Sequence, residues 1–116
     1  MSETENPGNR ESRIEVSVQL DGQNIPQLLQ WKATDAPPGL HEAAAMMLAL
    51  WDGKSKNGLS MDLWTKAMTI PEMNLFFYQT LLTMSDTFHR ATQNESLSEE
   101  IKTFARQFIE KASQQS

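Results

Sequence analysis

The feature that most constrains the fold is a change in apolar period partway along the chain. Ile14, Val16, Val18 and Leu20 alternate with Arg13, Glu15, Ser17 and Gln19, the spacing of a strand with one wetted face. From Met73 onward the spacing lengthens to three and four residues. Met73, Phe77, Leu81, Met84, Phe88 and Ala91 then make one helical stripe. Runs of strands followed by runs of helices point to an antiparallel sheet with the helices segregated to one face.

Between those limits the elements follow in order. Asp21-Gly22 is a turn signal, and Pro26, which lacks an amide hydrogen, suits the start of a strand carrying Leu29, Trp31 and Ala33. Thr34 to Gly39, with Pro37-Pro38, reads as a loop. Leu40 to Ala45 has high helix propensity and is expected to form one or two helical turns before a strand from about Met47 to Asp52. A single helix from Leu40 to Trp51 is the rival reading, because an apolar run has no period to decide it. A polar connection with glycine at both ends, Gly53 to Gly58, then leads into a strand with Leu59, Met61 and Leu63 on one face. Thr69 and Glu72 form a capping box, with Pro71 inside the first turn of a long helix. Ser96 with Glu99 is expected to cap a second helix, whose apolar face is Leu97, Ile101, Phe104, Phe108 and Ala112.

The expectation is an α+β fold: an antiparallel sheet of about four strands in the order ββ-α-ββ-α-α, with two C-terminal helices packed on one face. The 116 residues fit one domain over 13–113, after a polar, aperiodic, disordered arm over 1–12 and before a frayed tail over 114–116.

Composition removes several chemistries. Without any cysteine there is no disulfide, no thiolate nucleophile and no cysteine-based zinc or iron–sulfur site. A net charge of −5 repels phosphate backbones and anionic membrane surfaces, so no nucleic-acid partner is expected. The longest apolar run, Ala43 to Trp51, is nine residues, and the polar start MSETENPGNRES has no secretory signal. No membrane insertion is expected, and the cytoplasm is the default location.

No catalytic constellation appears. His41 and His89 are the only histidines, far apart and without an HExxH-type pair, so no metal or cofactor is expected. Asp52 and Asp62 flank the same hairpin, but aspartate opening a turn accepts backbone hydrogen bonds, and neither has a partner to activate it. Candidate interaction residues are Trp64 with Asp62 and Lys66, on the strand face away from Leu59, Met61 and Leu63. Strand alternation leaves Trp64 as either a surface patch or a covered core residue, while Trp51 is read as closing the sheet. Asp86, His89 and Arg90 form a second polar cluster on a helix face, either solvated or bound to a partner. The methionines read as core filler.

The stretch LALWDGKSKNGLSMDLWTKAM, the segment PEMNLFFYQTLLTMSDTFHRAT and the earlier SVQLD…IPQLLQWKATDA together resemble the gliding motility-associated GldC family of Bacteroidetes. The likeness covers about Arg13 to Thr92 and continues weakly to Phe108. It departs at Ala67 and Tyr78, where an acid and a histidine are expected, and in a last helix without the family's frequent cysteine. The resemblance implies a small accessory protein of the gliding machinery or cell envelope with no enzymatic activity. A protein partner, in the form of a gliding-machinery component or a second copy, is the leading expectation. The alternative is a small-ligand module or enzyme with a pocket lined by Trp31, Trp51, Tyr78 and Gln79.

Overall fold

A computed structural model describes residues 8–115. Residues 1–7 of the expected arm, and Ser116 of the expected tail, lie outside the described residues. The fold is α+β, with antiparallel sheets followed by two C-terminal helices. The chain divides into two compact units, residues 1–67 and 68–116.

The first unit holds the strands. β1 (Ile14–Leu20) pairs antiparallel with β2 (Pro26–Ala33), and β2 pairs with β3 (His41–Ala43). The turn between β1 and β2 is built on Asp21, whose carboxylate accepts the amides of Gln23 (2.8 Å) and Ile25 (3.0 Å). Val16 lies opposite Trp31 and Val18 opposite Leu29, so the alternation read from sequence places these four on one face. Leu29 is the buried centre of this sheet, 1% exposed. Arg10 and Ser12 are both tied to Asp35, at 3.1 and 2.8 Å.

Where helical turns are expected over Leu40 to Ala45, His41–Ala43 form a strand, Ala44 is a bend and Ala45 opens the next strand. Three alanines favour helix, yet so short a segment does not offset the cost of helix nucleation. Pairing with the free edge of β2 satisfies its backbone, and side chains lock it there. The His41 ring lies 4.7 Å from that of Trp31, and its Nε2 is 2.9 Å from the Pro37 carbonyl. Beyond Ala44 the chain continues as β4 (Ala45–Asp52), which pairs only with β5 (Asn57–Trp64) in a separate two-stranded sheet. Five strands in two sheets therefore stand where one sheet of four was expected. The Ala44 carbonyl accepts from both the amide and the hydroxyl of Thr65, at 2.9 and 3.0 Å. Thr65 is buried, so these bonds fasten the end of β5 to the break between β3 and β4.

The second unit is a helical hairpin of α1 (Ile70–Thr92) and α2 (Glu95–Gln115). The expected capping box is present at Thr69 and Glu72. α2 begins one residue before the expected cap. Asn94, not Ser96, supplies the capping oxygen, to the Leu97 amide at 3.0 Å. Gln93 in the left-handed conformation ends α1 and sends the chain directly into that cap. The two helices touch through small residues: Ser85, Ser98 and Ala105 are buried, and the Ser85 hydroxyl donates to the Ser98 carbonyl at 2.7 Å. Phe77 and Phe108 stack further along at 6.3 Å.

Close approach at Ala105 leaves no room for a larger side chain. Ala105→Leu is expected to destabilise the fold by about 1–3 kcal/mol through overpacking. Urea unfolding followed by circular dichroism measures this, with a lowered midpoint and unchanged slope as the expected result.

Candidate functional site

The β4–β5 hairpin has two unlike faces, set by its register. Met46 lies opposite Leu63, Leu48 opposite Met61 and Leu50 opposite Leu59, so one face is aliphatic or thioether up to the polar Asp52–Asn57 pair at the turn. The other face pairs Ala45 with Trp64, Met47 with Asp62, Ala49 with Ser60 and Trp51 with Gly58. This second face carries a tryptophan at each end, about 20 Å apart at the usual rise per strand residue. Between them lie only small side chains and the Met47–Asp62 pair.

Trp64 is a surface residue, 56% exposed. It shares its face with Asp62 and Ser60, as alternation predicts. Trp51 does not close the sheet. It is 68% exposed, on the same face as Trp64. The signal for this was in the sequence: an even number of residues between the paired ends puts odd positions of β4 opposite even positions of β5. The connection is the four residues Gly53 to Lys56, with Lys56 in the left-handed conformation, and Asn57 and Gly58 already belong to β5. Met47, Met61 and Met84 are likewise exposed rather than core filler.

Asp52 and Asp62 do not form a carboxylate pair. Their register positions fall on opposite faces, with Asp52 opposite Asn57 and Asp62 opposite Met47. Asp52 instead builds the turn, accepting the Lys54 amide at 3.0 Å and the Ser55 hydroxyl at 2.9 Å. The Lys54 amide first, then the Ser55 hydroxyl, holds its carboxyl below the usual aspartate range.

Lys66 follows Thr65 and lies beyond the end of β5, so it is not part of the tryptophan face. Its charge helps lower the pKa of Asp21, behind the larger effects of the Ile25 and Gln23 amides. Asp86, His89 and Arg90 are exposed on α1. The ion partner of Asp86 is Lys102 of α2, at 3.7 Å, and Lys102 also reaches Glu99 at 3.8 Å. Arg90 donates to the Thr87 hydroxyl at 3.4 Å, and the His89 carbonyl accepts the Gln93 amide at 2.8 Å. These polar groups complete the helix pair and its C-terminal cap, and Asp86 joins the two helices.

Trp31, from the expected ligand pocket, contacts the His41 ring within its own sheet. Among the described residues no cluster of three histidine, aspartate or glutamate side chains is placed to hold a metal ion. The open end of the helix pair has a shallow groove of about 330 Å³ lined by Asn74, Phe104, Phe108 and Lys111. No described helix is long and apolar enough to cross a membrane.

These elements define a small strand-then-helix protein whose distinctive surface is an exposed tryptophan-bearing hairpin. A family described as gliding motility-associated protein GldC-like matches residues 26–114, which take in all of β2 to α2 except the last residue of α2. The chain belongs to that GldC-like family. No curated protein and no solved structure matches it significantly.

The depressed carboxyl of Asp52 has a direct consequence for the hairpin. Its ionised form is favoured by folding, so its contribution is complete above the unfolded carboxyl value. It is lost as pH falls through the lower folded value. Nuclear magnetic resonance should show the Lys54 amide shift titrating with a midpoint below the ordinary aspartate value of about 3.9. In Asp52→Asn that titration should be absent.

Proposed function

We propose that this chain is a non-catalytic accessory protein that binds another protein, serving gliding motility or a related function of the cell envelope from the cytoplasm. Family membership supports the association with gliding motility. The observation that carries the binding role is the pair of exposed tryptophans, Trp51 and Trp64, on one regular face of the hairpin. Tryptophan offers a large apolar area at low entropic cost together with one hydrogen-bond donor, and it is enriched where interfaces concentrate their energy. A two-stranded sheet holds the two rings at a set spacing. The small residues between them leave space for an extended segment or a loop. Asp62 beside Trp64 adds a negative charge at one end, which favours a partner with a basic residue there.

Trp64→Ala should leave the circular dichroism spectrum and unfolding midpoint nearly unchanged, because the ring is mostly in solvent. Retention of the native partner on immobilised protein should fall by about 30-fold or more, the loss expected of an interface hot spot. Quantitative mass spectrometry of the captured proteins, with Lys54→Ala as a turn control, measures this. A Trp64→Ala chain that fails to fold would assign the ring to the structure and remove the patch. An unchanged set of captured proteins would move the binding surface elsewhere.

A further inference from the structure

β1 is an outer strand with one side unpaired. The sheet order is β1-β2-β3, and among the described residues no other strand lies beside β1. Its backbone direction is fixed at both ends. The Arg13 carbonyl accepts the Thr34 amide at 2.9 Å, and the Asp21 amide donates to the Ile25 carbonyl at 2.9 Å. Odd positions thus turn their backbone groups inward, and in an antiparallel ladder the positions between them turn outward. Ile14, Val16, Val18 and Leu20 therefore aim their amides and carbonyls at the open side. The entering chain is held away from that side, because Asp35, just past the end of β2, binds both Arg10 and Ser12.

Open edges are ordinarily blunted by proline, by charge or by shortness. β3, at the opposite edge, is three residues long. β1 has seven residues and no proline, and its pairing with β2 is regular until the last step, between Gln19 and Leu20. Ile14 is 74% exposed, Val16 42% and Leu20 49%, so apolar side chains flank the unpaired groups. A helix cannot supply the missing bonds, since its own backbone groups are used internally; a strand can.

The residue order of β1 suits a second β1. An antiparallel two-fold through Ser17 sets Val16 opposite Val18, Ile14 opposite Leu20, Glu15 opposite Gln19 and Arg13 opposite Asp21. Apolar meets apolar and charge meets opposite charge. The outward-facing residues fall opposite one another, which gives about eight backbone hydrogen bonds, and Ser17 meets itself in a close, non-hydrogen-bonded pair. A two-fold through Val16 instead leaves Leu20 opposite Ser12, and one through Val18 sets Glu15 against Asp21.

We propose that two copies of the chain join their β1 edges antiparallel about Ser17, merging two three-stranded sheets into one. The joint uses no residue of the tryptophan hairpin, so Trp64→Ala leaves it unchanged.

Sedimentation equilibrium of the full chain from low to high micromolar concentration should give a mass rising to twice 13.2 kDa. Val16→Pro removes an outward-facing amide and no bond of the β1–β2 ladder. It should raise the dissociation constant by about 30-fold or more while strand circular dichroism persists. The chain has no cysteine, so an introduced thiol reports on one position alone. Ser17→Cys brings two thiols to the two-fold at the separation of a close antiparallel pair, and oxidised glutathione should convert it to a disulfide-linked dimer. Gln19→Cys sets the two thiols roughly 14 Å apart and should not cross-link. A monomer mass at every concentration overturns the proposal. So does a folded Val16→Pro chain that dimerises as before, or a Ser17→Cys chain that cross-links no more than Gln19→Cys. If Val16→Pro loses its fold, the cross-linking comparison decides.

Discussion

The Ala44 carbonyl is the point on which the strand unit depends. It accepts two hydrogen bonds from Thr65, one from the backbone and one from the side chain, at the residue where the chain leaves one sheet and enters another. Before it, β3 completes the sheet of β1 and β2; after it, β4 belongs wholly to the hairpin with β5. Because Thr65 is buried, its hydroxyl would lack a water partner if that bond were lost. The same contact holds Trp64, its neighbour in sequence, at the end of a regular ladder. The presentation of the tryptophan face thus rests on a bond outside that face.

The two units have different kinds of surface to satisfy. A two-stranded hairpin alone is marginal in water, and this one has an aliphatic face and a tryptophan face. The helical hairpin keeps its contact line thin with Ser85, Ser98 and Ala105, which brings the helix axes close and pushes the large side chains to the flanks.

Much of the fold was legible because local signals agreed. The alternation in Ile14 to Leu20, the Asp21-Gly22 turn and the Thr69–Glu72 box each rest on contacts within a few residues. The segment His41–Ala43 has helical propensity, yet it is strand because its partners, Trp31 and the edge of β2, lie about ten residues back and no local signal points to them. The face of Trp51 is set differently: its own strand is apolar on both sides, and only the register carried across the turn puts it on the Trp64 face. The cluster of Asp86, His89 and Arg90 was read within one helix, whereas the charge that meets Asp86 is on the next.

By itself the sequence determined the α+β class, the passage from strands to helices, the alternation of β1, β2 and β5, the capping box of α1, and the family likeness. These follow from periodicity and capping, which depend on near neighbours along the chain. Only the tertiary structure decided that the strands split into two sheets at Ala44, that both hairpin tryptophans stand in solvent on one face, and that small residues join the two helices. Those outcomes depend on which backbone edges and side chains meet across the fold. Periodicity names the face a residue belongs to, and only pairing shows what lies against it.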